Sequence, residues 1–124
     1  MKYDSAVEPD PSRWLEADEQ ERIEAVQRFH EKAKEPSGAS PKMHAVIHCV
    51  VETRLAEGHP ATRAALERLL LEGLDRHDAI HAVGSIVAHE ILEVTKTGRG
   101  HDPKVYTERL EALTAARWRS QASE

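Results

Sequence analysis

Eight histidines stand at positions 30, 44, 48, 59, 77, 81, 89 and 101 of a chain with only five phenylalanine, tryptophan and tyrosine residues. Imidazole is the commonest protein ligand for transition metals and changes charge near neutral pH, so this imbalance points to metal or proton chemistry. Two spacings sharpen it. His44, His48 and Glu52 follow one another at intervals of four, and His77 and His81 repeat the interval. On an α-helix each such step rotates by about 40° and rises about 6 Å, which lays the residues along one drifting face. Two histidines one turn apart can place both imidazoles on a single ion. Imidazoles with one carboxylate suit zinc, iron, nickel, copper or manganese rather than calcium or magnesium. Cys49 is the single cysteine, so no converging thiolate set of a Cys-rich structural zinc is present.

The elements that must position these residues read as helices, because apolar residues recur at three- and four-residue spacing and strand-type alternation is absent. Turn signals divide the chain into five helices. The first spans about Asp18 to Lys34, opened by the Asp18/Glu21 spacing, closed by Pro36, Ser37 and Gly38, and buried along Ile23, Val26, Phe29 and Ala33. The second runs from Pro41, after a Ser40 cap, to about Glu57 before Gly58. Its uncharged middle, Ala45 to Val51, marks it as the central helix. The third covers Pro60 to Gly73 with Leu66, Leu69 and Leu70 inward. The fourth covers Asp75 to about Thr97 with Ile80, Val83, Val87, Ile91 and Val94 inward. The fifth opens at Asp102 and Pro103, carries Tyr106, Leu110 and Leu113, and ends near Trp118. Residues 1–17 form a loosely ordered arm docking through Trp14 and Leu15, residues 18–119 one domain, and residues 120–124 a polar tail.

Connections this short favour an all-α, up-and-down helical bundle of about five helices. In that arrangement the second and fourth helices run the same way, and both histidine pairs lie near their starts. The first helix runs opposite, which brings His30, near its end, to the same place. Five histidines (30, 44, 48, 77 and 81) then converge at one end of the bundle, with Glu52 one turn deeper. The positive ends of the helix dipoles disfavour imidazolium at His44 and His77, and metal ligation requires the neutral form. His89, rotated by about 120° from His77 and about two turns beyond His81, falls outside the group. His59 beside Pro60 and His101 beside Asp102 read as caps or loop positions.

The rest of the composition narrows the class. The 124 residues amount to one domain, and the net charge of −5 argues against a nucleic-acid binder. The lone cysteine and a first segment without the apolar middle of a secretory signal indicate a soluble, cytoplasmic protein. The longest stretch free of Asp, Glu, Lys and Arg, Ala79 to His89, falls short of the roughly 20 apolar residues a membrane span requires. Cys49 points away from His48 and reads as a small buried hydrophobe. The nearly uncharged second helix leaves surface for a homodimer.

Two resemblances attach to these residues. From Trp14 to Leu113, through the segments DEQERIEAVQRFH, HAVIHCVVE and GLDRHDAIHAVGSI, the chain resembles a family of short bacterial all-helical proteins of unknown function. That likeness implies a single helical domain. His30 on a first helix, His48 with Glu52 as HxxxE and His77 with His81 as HxxxH resemble the hemerythrin-like non-haem di-iron pattern. The pattern's HxxxxD on a last helix has no counterpart between Pro103 and Trp118, so the likeness extends to a mononuclear site.

The leading expectation is one transition-metal ion held by His44, His48, His77 and His81. His30 and Glu52 stand by as further ligand, tautomer-fixing partner or general base. Three protein ligands and a water would permit Lewis-acid or hydrolytic chemistry, whereas four closing the shell make the metal structural. A metal-free interaction module with hydrogen-bonded histidines accounts for the same residues, as does a pH switch built from clustered imidazoles.

Overall fold

Proline after a capping residue sets where most of the helices begin. The computed structural model describes residues 1–33 and 40–122, and these contain seven helices. They are α1 (Pro11–Glu16), α2 (Glu19–Ala33), α3 (Pro41–Ala56), α4 (Pro60–Leu71), α5 (Arg76–Thr97), α6 (Pro103–Ala112) and α7 (Ala115–Ala122). Four of them, α1, α3, α4 and α6, open on proline, whose missing N–H and fixed φ suit the first turn. The free amides are capped by side chains: Asp18 accepts from Glu21 N at 2.8 Å, Ser40 from Met43 N at 3.3 Å and Asp75 from Asp78 N at 2.8 Å. Gly98 ends α5 in the left-handed conformation at φ 70°, which glycine adopts without a Cβ penalty.

The fold is all-α, but the helix count is seven rather than about five, for two reasons. First, the segment before Asp18 contains α1 and sends Tyr3, Ser5 and Trp14 into the interior. Trp14 is only 1 % exposed and donates its indole N–H to Thr53 Oγ1 at 3.0 Å, whereas Leu15 stays exposed. Second, the expected fifth helix breaks at Leu113, which adopts an extended conformation. Thr114 restarts it by capping Arg117 N at 3.1 Å. The backbone groups freed by the break find partners on α4 and the residue that follows it: Arg68 donates to the carbonyls of Leu110 and Leu113 at 2.7 and 3.0 Å, and Glu72 accepts from Ala115 N at 2.8 Å. The expected end of the first helix at Lys34, its Pro36–Gly38 turn, and Ser123 and Glu124 of the tail lie outside the described residues. Of that tail, Ser120, Gln121 and Ala122 belong to α7.

Two apolar clusters meet on α3. One joins its far end to α4, α5 and α6 through Val51, Leu55, Leu69, Ile80, Val83 and Leu110. The other packs Tyr3, Trp14, Ile23 and Val26 against Ala45 and Cys49. A helix packed on two sides can spare few charges, which is why Ala45 to Val51 carries none. Leu70 and Val94, expected inward, are exposed; residues 94–97 form an α5 end exposed all round. Arg22 reaches Thr53 and His30 reaches His44, so α2 runs back along α3. Against α5 the approach is close at Gly84, where a Cβ would stand 3.0 Å from the Ile47 side chain. A neighbour this near requires the small residue, and it places the α3 and α5 histidines within reach of each other.

Candidate metal centre

Histidines from three helices converge where α3 meets α5. His44 and His48 come from successive turns of α3, His81 from the second turn of α5 and His30 from the last turn of α2. Each offers one ring nitrogen, and these four nitrogens all lie within 4.8 Å of one another. The ring centroids of His44 and His48 stand 4.9 and 4.7 Å from that of His81, and those of His30 and His44 4.4 Å apart.

The hydrogen bonds orient the rings. His30 Nδ1 lies 2.9 Å from the Val26 carbonyl, which can only accept, so Nδ1 carries the proton and the Nε2 lone pair faces inward. His30 Nε2 and His44 Nε2 are 3.0 Å apart. Two ligands on an ion at about 2.0–2.1 Å in tetrahedral geometry stand roughly 3.3 Å apart, so this pair is already at ligand spacing. His48 Nε2 and His81 Nε2 are buried without a hydrogen-bond partner among the described residues. Buried polar atoms are nearly always satisfied, and two unsatisfied imidazole nitrogens in one group indicate a site shaped for a further species.

Behind His48 runs a chain of polar groups. Its Nδ1 stands 3.4 Å from the Tyr3 hydroxyl, which donates to Glu52 Oε2 at 2.6 Å. Glu52 in turn accepts both prongs of the Arg76 guanidinium, at 2.9 and 2.7 Å. The carboxylate is only 2 % exposed, so the bidentate pair is what makes its burial tolerable. Burial and the Glu52 charge hold the Tyr3 phenol well above its usual pKa, which keeps it a donor. In this order Arg76 fixes Glu52, Glu52 fixes Tyr3, and Tyr3 takes the Nδ1 proton of His48, directing its Nε2 to the cluster.

Electrostatics keep His48 and His81 neutral. Burial, followed by the neighbouring histidines, pushes His81 down to about 3 and His48 further still. Desolvation thus does at these two positions what the helix ends were expected to do at His44 and His77.

The six residues singled out in the sequence have therefore separated. His30, His44, His48 and His81 come together. His77 lies beside His81, with centroids 4.2 Å apart, and its Nδ1 is hydrogen-bonded to Ser5 Oγ. Glu52 faces Tyr3 and Arg76. Tyr3, Ser5 and Arg76 carried no signal in the sequence: they bear on the site only because the first residues fold back over α3 and α5, where Arg76 also donates to the Ser5 carbonyl at 3.0 Å. His59 caps α4 by accepting from Thr62 N at 3.2 Å. His89 and His101 pair with Glu93 and Glu90. Cys49 is buried and its thiol is pushed up to about 12 by burial, which leaves it inert at neutral pH.

No family model, curated protein or solved structure matches this chain. Among the described residues no helix is long and apolar enough to cross a membrane.

Proposed function

We propose that the protein binds one transition-metal ion through the Nε2 atoms of His30, His44, His48 and His81. The observation that carries this reading is the pair of buried Nε2 atoms, on His48 and His81, that face the group without a hydrogen-bond partner among the described residues. Neutral nitrogen donors of this kind suit zinc, iron, nickel, copper or manganese. An ion would draw nitrogens now up to 4.8 Å apart toward tetrahedral spacing, a movement of order 1 Å that rotation of the imidazoles supplies. Glu52 acts behind the shell, through Tyr3, and His77 flanks it. The commitment of Glu52 to Arg76 favours one ion over the carboxylate-bridged pair of the hemerythrin-like pattern.

The test is elemental analysis by plasma mass spectrometry on untagged protein, before and after dialysis against chelator. One metal per chain is expected, lost in His48→Ala. Metal-free protein whose melting temperature ignores added zinc, iron, nickel and manganese would overturn the reading in favour of a metal-free interaction module.

A further inference from the structure

Three of the four clustered histidines, His44, His48 and His81, line a cleft of about 190 Å³. Its other walls are apolar: Ile47, Ile80, Ala88 and Trp118, with the Ser85 hydroxyl turned back onto the Ala82 carbonyl at 2.6 Å. Among the described residues no Lys, Arg, Asp or Glu lines it. The volume lies below the roughly 300–1,000 Å³ of clefts that hold drug-sized ligands, so its occupant is a small molecule.

Charge balance fixes the occupant's sign. Four neutral imidazoles leave a divalent ion with its full double charge in partly apolar surroundings, where uncompensated charge is costly. Among the described residues the nearby acids do not relieve it. Glu52 is neutralised by Arg76, and Asp75 is spent on the Asp78 amide at the positive end of α5. A monoanion entering from the cleft would compensate the ion directly while its body covers Ile80, Ala88 and Trp118.

Resting on the metal site proposed above, we infer that this cleft binds a small anion with a compact apolar body, such as a short branched carboxylate, whose charged head joins the four imidazoles as a fifth ligand and expands the tetrahedral shell. The walls give the affinity for the body, and the ion gives the requirement for negative charge. An amine of the same shape meets a like charge, and a carboxylate without a body gains nothing from the walls.

The experiment uses full-length protein loaded with cobalt(II), whose visible absorption reports its coordination. Isovalerate should shift that absorption saturably, with a half-saturation at least tenfold below that of acetate, and isopentylamine should leave it unchanged. Ala88→Phe, which fills the cleft away from the ligand nitrogens, should keep one cobalt per chain and lose the isovalerate response. Trp118→Ala, which removes a wall, should weaken isovalerate severalfold and leave acetate as it was. Equal responses to isovalerate and acetate, or an unaltered isovalerate response in both variants, would overturn the inference while leaving the metal site standing. Failure to take up cobalt at all would remove both.

Discussion

The chain holds two groups of histidines whose surroundings differ in one respect. Among the described residues no carboxylate joins the group of His30, His44, His48 and His81, and the Nε2 atoms of His48 and His81 lack a hydrogen-bond partner. Further along α3 and α5, His59 and His101 flank Tyr106, with ring centroids 5.7 and 5.8 Å away. There His59 caps Thr62, His101 pairs with Glu90, Glu90 meets Arg54 at 3.5 Å, and the Arg54 guanidinium lies 4.4 Å over the Tyr106 ring. The second group spends its imidazoles on backbone amides and acids, which settles a fold. The first holds His48 and His81 neutral by burial and brings ring nitrogens of four histidines together, the arrangement on which the proposed metal site rests. Histidine content alone does not distinguish them; the presence or absence of a facing acid or backbone donor does.

The largest effect expected from this contrast is on metal content. His48→Ala should abolish stoichiometric binding, and His101→Ala should leave it intact, as read by elemental analysis. Saturating metal at about 1,000 times its dissociation constant stabilises a native state by about 4 kcal/mol, so thermal melts with and without zinc should separate for wild type and coincide for His48→Ala. A metal lost equally from the His101 variant would erase the distinction between the two groups.

Next in size is the ion pair behind His48. Removing one partner of a buried pair costs roughly 3–5 kcal/mol, because the other charge is left unsolvated. Arg76→Met should therefore destabilise the chain strongly, as read by urea melts. The double variant Arg76→Met/Glu52→Gln should recover part of the loss. Tyr3→Phe breaks the same chain one link later. It should keep the fold and weaken metal binding by about 10- to 100-fold, the range seen when a partner of a ligating histidine is removed.

Acid tests the neutral imidazoles in metal-free protein. His81 titrates near 3 in the fold against about 6.5 in an unfolded chain, so between those values the unfolded state binds more protons. Stability should be fully present above pH 6.5 and fall as pH drops toward 3, with His48 extending the loss to lower pH. Urea midpoints measured from pH 7.5 to 4 check this, and His81→Gln should flatten the slope. A slope confined to the range where carboxylates protonate would remove the histidines from the account.

Local physics made much of this legible in the sequence. Capping residues and prolines located α2 to α6 because they act within a turn of where they stand, and four-residue spacing identified His44, His48 and His81 because a helix converts spacing into a shared face. His30 was reached through topology. What stayed hidden depends on side chains meeting across the fold. Tyr3 and Ser5 sit in a segment with no periodicity, and nothing local sends them inward. The break at Leu113 is satisfied by Arg68 and Glu72, more than 40 positions away in sequence. Glu52 was recognised by its spacing, yet whether it ligates a metal or an arginine is decided by Arg76, whose reach across to α3 leaves no trace in spacing. The same holds for His77, which Ser5 engages.

The smallest expected effect is also the sharpest check that the two groups differ. His59 supplies the α4 cap through Nδ1, a role it fills only as neutral imidazole, and the same nitrogen lies 3.0 Å from Thr62 Oγ1. Thr62 Oγ1 is itself 2.8 Å from the Tyr106 hydroxyl, so the cap is tied to the core between α4 and α6. Losing a helix cap costs about 1 kcal/mol, which makes His59→Ala a modest lesion. His59→Asn or His59→Asp, whose oxygens also accept from the third amide of a helix, should restore most of that stability. Metal stoichiometry and affinity should be identical in all three variants, because none of the four clustered histidines touches this end of α4. A change in affinity on replacing His59 would mean that the two groups share a proton or a strain, and that they must be treated as one.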